Sequence, residues 1–418
     1  MEKCVIATIR KKYSKEYVED QMLELEQLVE ASGGQVVCQV IQDKDRPDGA
    51  LYLGKGKVGE IKAVMEETES DLLVINDELS GSQIRNLEKF LETRVIDRTM
   101  LILDIFALRA QTRESKLQVE LAQLKYSIPR LKGKGIDMSR LGGGIGTRGP
   151  GEKQLETDRR HIESRVYEIE KQLKKSINVR EENRKSRIKN NVPVIAVVGY
   201  TNAGKSTLIN TMLSRYGVEK DKQVFVYDQL FATLTTENRK LKLQHHYEAI
   251  ITDTVGFVNQ LPTQLVESFK STLEEITHSD LIIHLMDSTN HNLALQKSTT
   301  EKILSDIDAI GIPKLDVYNK ADQLTHINGA NQKELYISAK TGFNLERLEE
   351  SILNIIYGKT QIYHQHIDFN DYGDLNFIEN KTDIISREHD ETGTNITFKT
   401  REKIYERYIG ETHHGKNL

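Results

Sequence analysis

The sequence has only two cysteines among its 418 residues, Cys4 and Cys38. Two thiols cannot make a disulfide framework, so a reducing compartment is expected. Long apolar runs are missing as well. Met100–Leu108, Val192–Val198 and Leu281–Met286 all fall far short of the roughly 18 residues that span a bilayer. No integral membrane segment is therefore expected. The short run Val5–Ile9 ahead of Arg10-Lys11-Lys12 does not read as a signal peptide. A cytoplasmic location is expected, with at most a minor peripheral association with membranes. Apolar and charged residues are not scarce. At 38% and 29% they allow a sizeable core and exclude wholesale disorder. At about 150 residues per domain the length suggests two to four domains.

The net charge of −5 hides an asymmetry. Arg109–Lys189 carries 21 basic and 11 acidic residues, a charge of +10 that leaves −15 for the rest. A basic segment inside an acidic protein suggests polyanion binding, with a solvated helical surface as the plainer alternative. In residues 1–98 the short apolar runs Val5–Ile9, Val36–Ile41, Leu72–Ile75 and Val95–Asp97 read as strands between amphipathic stretches, with Ser80 and Gln83 spaced as a capping box, which predicts an N-terminal α/β domain with a mainly parallel sheet. Strand signals then vanish. Leu117, Leu121, Leu124 and Ile128 are spaced 4, 3, 4, and Ile162, Val166, Ile169 and Leu173 repeat that spacing. Both are seams of the coiled-coil type, so residues 99–190 are expected to form a long antiparallel helical hairpin. Its tip, residues 132–151, holds eight glycines together with Lys132, Lys134, Arg140 and Arg148. A plain linker needs no arginines, so the tip reads as a nucleic-acid contact. Residues 191–358 again alternate strand and helix, as a doubly wound domain does, with strands expected at Val194–Val198, Lys240–Leu243, Ala249–Asp253, Leu281–Asp287, Leu315–Asn319 and Leu335–Ser338. Residues 359–418 are polar, with one hairpin at Ile384–Asp390 and Asn395–Thr400, and are expected to form a small α+β domain. The histidines there (His364, His366, His389, His413, His414) lack metal-ligand spacing. The whole is a multidomain α/β chain.

Gly199-Tyr200-Thr201-Asn202-Ala203-Gly204-Lys205-Ser206-Thr207 contains a full GxxxxGK[ST] loop between a β-type run and an amphipathic helix. The glycines let backbone N–H groups face phosphate oxygens. Lys205 places charge on the β- and γ-phosphates, and the Ser206 hydroxyl can bind Mg²⁺. Asp253-Thr254-Val255-Gly256 ends the next apolar strand. Its carboxylate can hold Mg²⁺ through water, and the Gly256 N–H can meet the γ-phosphate. Asn319-Lys320-Ala321-Asp322 ends another strand. Asp322 can accept two hydrogen bonds from guanine N1–H and the 2-amino group, which adenine cannot offer; Asn319 can tie this loop to the phosphate loop, and the Lys320 stem can cover the base. Ser338-Ala339-Lys340 follows the last strand, where a backbone N–H can recognise guanine O6. Four such elements in order, each at a strand end, predict a GTP-binding domain at the carboxyl edge of a sheet.

This order matches the P-loop GTPases, and the finer resemblance is to the HflX family within the Obg-HflX group. Phe231-Ala232-Thr233-Leu234, with Thr235 next to it, resembles the family's switch I. On bare chemistry Thr235 and Thr236 compete with Thr233; the family register favours Thr233 as a Mg²⁺ ligand. Leu51–Lys57 (LYLGKGK) and Arg140–Arg159 also look like HflX signatures. The resemblance implies GTP and GDP as ligands, Mg²⁺ as cofactor, and binding to rRNA of the large (50S) ribosomal subunit. It implies splitting or rescue of stalled ribosomes, with the Gly-rich tip near the peptidyl-transferase centre. A monomer with no DNA partner is expected.

Phe257 departs from the generic pattern, in which a glutamine after DxxG orients the attacking water. Phenylalanine has neither donor nor acceptor. The expectation is slow intrinsic hydrolysis completed by a partner, with Lys205, Thr233 and Gly256 carrying the chemistry. Asn202 resembles the asparagine that helps hold K⁺ in potassium-activated GTPases; bracing of the loop is the equal alternative. Two other functions compete. One is an RNA-remodelling enzyme with a second nucleotide near Gly54-Lys55-Gly56-Lys57, although a tight turn explains that stretch better. The other is a non-hydrolysing GTP-binding module.

Overall fold

The computed structural model describes residues 2–131, 150–190, 192–217, 238–244, 247–254, 256–257, 273, 275–324, 334–369 and 372–406. Phe231, Ala232, Thr233, Leu234, Thr235 and Val255 lie outside them, as do Lys132, Lys134, Arg140 and Arg148. The contacts divide the described residues into two compact units, the first holding residues up to 189 together with 256–257 and 273, the second holding the rest.

The first unit is built on a four-stranded, wholly parallel sheet: β1 (Glu2–Arg10), β2 (Gly34–Asp43), β3 (Leu72–Ile75) and β4 (Arg94–Asp97), in the order β2-β1-β3-β4. All four strands and the parallel pairing follow the sequence reading. Successive side chains of a strand point to opposite faces. Cys4, Ile6 and Val74 therefore pack on one side against α1 (Lys15–Ala31) and α4 (Arg98–Arg109). Val5, Ala7, Leu73 and Ile75 pack on the other against α2 (Lys55–Thr68) and α3 (Gly81–Leu91). Helix starts are written locally. Ser14 accepts from Tyr17 N at 3.2 Å, and Ser80 and Gln83 form the capping box that their spacing predicts.

The helix α4 is apolar on nearly every side, and Leu101, Ile102, Leu103, Ile105 and Phe106 all enter the first core. After it, α5 (Arg113–Leu131) and α6 (Pro150–Asn190) run antiparallel: Arg113 meets Gln172, and Glu120 meets Arg165 through two bonds of 2.7 and 2.9 Å. The two seams pack together through Leu121, Ile169 and Leu173, flanked by Leu117, Leu124 and Val166. The end of α5 is fastened to the sheet at Asp97, which is fully buried. Its carboxylate accepts from Leu79 N and Met100 N at 2.9 Å, Tyr126 OH at 2.5 Å and Arg130 at 2.6 Å. The Arg130 guanidinium also lies over the Tyr126 ring, 3.4 Å from its centroid.

The second unit holds a six-stranded sheet in the order β10-β9-β8-β5-β7-β6. Its strands are β5 (Val194–Gly199), β6 (Asn238–Leu243), β7 (Tyr247–Asp253), β8 (Leu281–Asp287), β9 (Lys314–Asn319) and β10 (Leu335–Tyr336), and only the β6–β7 pair is antiparallel. Ile195, Val197, Leu281, Ile283 and Leu285 pack against α7 (Lys205–Tyr216) and α9 (Leu345–Tyr357). On the opposite side, α8 (Leu293–Asp306) meets β5 and β8. Both the alternation and the strand positions match the expectation for a doubly wound domain.

The C-terminal part is a three-stranded antiparallel sheet, β11 (Thr360–Asp368), β13 (Gly393–Arg401) and β12 (Asp383–His389), with α10 (Tyr372–Lys381) and α11 (Glu402–Tyr405). The sequence reading found the hairpin of β12 and β13 but not β11. In β11 only Ile367 is fully buried; its histidines lie on the open face, where His364 bonds Thr397 and His366 bonds Asn395, both at 2.9 Å. This sheet is tied to α9 by Arg401, which is 1% exposed and donates to Asn354 Oδ1 at 2.9 Å, Gly358 O at 3.0 Å and Glu350 at 2.9 Å. Among the described residues no helix is long and apolar enough to cross a membrane.

Candidate functional site

The loop after β5 takes its shape from three residues with positive φ: Gly199 at 153°, Asn202 at 62° and Gly204 at 91°. Space as well as φ demands glycine at two of them. A Cβ on Gly199 would collide with the Leu285 carbonyl of β8, and one on Gly204 with the Asn319 side-chain amide. Asn202 is exposed, and among the described residues its amide has no hydrogen-bond partner. Asparagine tolerates this left-handed backbone better than most residues. Tyr200 is half-buried, while Thr201 and Ala203 are buried.

Lys205 opens α7 and folds back into the loop, where its ammonium donates to Gly199 O at 3.0 Å and Tyr200 O at 2.8 Å. It is only 7% exposed. Burial pushes its pKa down to about 8, against a partial opposing pull from the Asp253 carboxylate. An anion placed here would restore the charge that burial disfavours. Ser206, next on the helix, donates to Asp253 Oδ2 at 3.3 Å. Asp253 ends β7 and is 1% exposed. A hydroxyl beside a buried carboxylate is an oxygen pair that suits a hard divalent cation such as Mg²⁺. Thr254 turns inward, and its hydroxyl donates to Val197 O at 2.6 Å. Gly256 and Phe257 are both buried, the phenylalanine at 1% exposure, in the first unit.

The segments after β9 and β10 join this loop through one asparagine. Asn319 donates from Nδ2 to Ala203 O at 2.8 Å and accepts at Oδ1 from Ala339 N at 2.9 Å. It thereby links the phosphate loop, the end of β9 and the loop after β10. Ala339 O in turn accepts from Thr211 of α7 at 2.7 Å, which closes the circuit back to the helix of Lys205. Ser338 is buried, and its hydroxyl donates to Asp322 Oδ1 at 2.6 Å, orienting that carboxylate. Ala321 N donates to Ile337 O at 3.0 Å, and Lys340 is exposed. Thus the phosphate loop, Asp253, Asn319–Asp322 and Ser338–Lys340 come together at the carboxyl ends of parallel strands, as their spacing predicts. Thr211 was not singled out from sequence. Its only signal is its place two turns along the helix that Lys205 begins.

The LYLGKGK stretch is built as a turn. Asp48 accepts from Ala50 N at 2.8 Å and Leu51 N at 3.0 Å. Tyr52, at φ 63°, buries its ring and donates to Asp77 at 2.5 Å. Gly54 N donates to the Gln42 side chain at 2.8 Å, and α2 begins behind it.

Three family models match the chain: "GTP-binding GTPase N-terminal" over residues 19–107, "GTP-binding GTPase Middle Region" over 109–187 and "50S ribosome-binding GTPase" over 194–320. The curated relatives include the GTPase HflX of Caldanaerobacter subterraneus, 44% identical over 93% of this chain and 89% of that one. The GTPase HflX of Alkalihalophilus pseudofirmus is 50% identical over 75% of this chain and 72% of its own. That of Escherichia coli is 39% identical over 81% and 80%. With Gly199–Ser206 supplying the phosphate loop at the edge of the doubly wound sheet, the chain belongs to the HflX family of GTPases and is a GTP-binding GTP hydrolase.

Proposed function

We propose that this GTPase binds the large ribosomal subunit and uses GTP binding and hydrolysis to split or rescue stalled ribosomes. The observation that carries the reading is the match of residues 194–320 to the 50S ribosome-binding GTPase model, together with the antiparallel helices α5 and α6 within a segment of charge +10. In this reading Arg140, Arg148, Lys132 and Lys134 contact rRNA.

At the nucleotide, Gly199–Thr207 cradles the phosphates and Lys205 neutralises their charge. Ser206 and Thr233, with Asp253 behind a water, would hold Mg²⁺, which adds positive charge at the β- and γ-phosphates when bound. The Gly256 N–H senses the γ-phosphate. Phe231–Thr235 and Asp253–Gly256 are the two switches. Asp322 reads the guanine edge, Lys320 covers its face, and Ser338–Lys340 closes the base site. Phe257 cannot orient water, so a partner that orders the switches supplies what is missing; catalysis in this class is mainly positioning and electrostatics. Asn202, exposed at the loop, is the candidate ligand for K⁺.

The test is GTP turnover by the full chain with and without purified 50S subunits, alongside sedimentation of 70S ribosomes. Subunits are expected to raise the rate at least about tenfold, equivalent to roughly 1.4 kcal/mol of transition-state stabilisation. The 70S peak is expected to resolve into subunits in the presence of GTP. An unchanged rate and an intact 70S peak would overturn the proposal.

A further inference from the structure

The segment just after β8, Asp287-Ser288-Thr289, belongs to none of the nucleotide motifs, yet it grips the guanine-reading element at two points. Asp287 Oδ2 lies 2.7 Å from Lys320 Nζ. Ser288 donates to Asn319 O twice, from its backbone N–H at 3.0 Å and from its hydroxyl at 2.5 Å. The second Asp287 oxygen is also committed: it accepts from Thr289 N at 3.0 Å and from the Thr289 hydroxyl at 2.7 Å. The carboxylate is thus aimed before the lysine arrives. Both partners of the ion pair are sheltered, with side chains 14% and 22% exposed. A charge pair in that setting is screened much less than one on the open surface.

Lys320 needs holding. Its backbone is left-handed, at φ 64° and ψ 30°, a conformation that L residues other than glycine avoid. Its side chain is long and loses much rotamer freedom when fixed. Register explains how the brace reaches it. β8 and β9 pair in parallel with Asp287 opposite Asn319, so the ends of the two strands emerge side by side.

We infer that Asp287 is a positioning residue for guanine nucleotides: by pairing with Lys320 it pre-sets the lysine stem as the cover of the purine face, which slows nucleotide release. This rests on the reading of Asn319–Asp322 as the base-recognition element. Asp287 itself touches no base, so it acts on how long a purine stays and not on which purine is chosen.

The experiment is stopped-flow release of a fluorescent GDP analogue from the full chain, with thermal melting of each variant as a fold control. Asp287→Ala is expected to speed release about tenfold, a loss of roughly 1.4 kcal/mol. Asp287→Asn keeps the acceptor without the charge and should fall between this variant and the parent. Lys320→Ala removes the cover itself and should speed release at least as much as Asp287→Ala, and the double variant should be no faster than Lys320→Ala alone, because Asp287 acts only through that lysine. GDP and IDP should be weakened by the same factor. Parental release rates in a folded Asp287→Asn variant, or additive effects in the double variant, would overturn the brace. Failure of the parent chain to bind GDP at all would instead overturn the base-recognition reading beneath it.

Discussion

Asp322 is held in place by the Ser338 hydroxyl at 2.6 Å, and its charge is what a guanine edge would need. Asp322→Asn is expected to weaken GTP binding by about 1–3 kcal/mol and to improve binding of xanthine nucleotides, since one acceptor becomes a donor. Competition titration with GTP and XTP checks both signs; unchanged GTP affinity contradicts the assignment. The contrast with Lys320 is instructive at this scale. An aspartate chooses between bases by matching donors, whereas a lysine stem covers any purine. Both residue types could be read from the four-residue motif. The partners Ser338 and Asp287 that aim them come from other strand ends, 16 and 33 positions away.

At the scale of elements, β8, β9 and α8 are cross-linked by one carboxylate. Asp316 bonds His284 Nδ1 at 3.1 Å and the Lys297 ammonium at 2.7 Å, with Lys314 at 3.6 Å. The His284 hydrogen bond, followed by that from Lys297, holds the Asp316 carboxyl well below the usual carboxylate range. A carboxyl depressed in the folded state stabilises it above the unfolded pKa of about 3.9, and that contribution is lost as pH falls through and below this value. Asp316→Asn is therefore expected to cost about 1–3 kcal/mol at neutral pH and to flatten the acid limb below about pH 4. Urea denaturation across pH checks it; parallel acid limbs for parent and variant contradict it. Element positions themselves were largely legible. Apolar runs of four to seven residues marked β3, β5 and β8, and the Ser80–Gln83 spacing marked the start of α3. The strand β11 was not legible, because its alternation runs through tyrosine, glutamine and histidine and its outer face is wet.

For the whole molecule, charge is the property that local structure does not absorb. Within the basic segment from Arg109 to Lys189, the helices α5 and α6 spend their apolar seams on each other. Replacing both Arg140 and Arg148 by alanine is expected to weaken 50S binding and to lower the slope of log affinity against log salt by about one to two, as fewer counterions are released. GTP affinity in free solution should hardly change. Sedimentation binding across a salt series reads the slope; a parental slope would make the tip a linker. The sequence by itself determined the nucleotide chemistry, because GxxxxGKS, DTVG, NKAD and SAK each act through short-range backbone geometry and a few fixed residue types. It also determined the hairpin, because helical periodicity is local. Only the tertiary structure decided that Thr211 closes on Ala339, that Asp287 meets Lys320 and that Arg130 is anchored on Asp97. Those contacts depend on strand order and register, which join residues far apart in the chain, and no periodicity along the chain records which distant polar group will stand opposite.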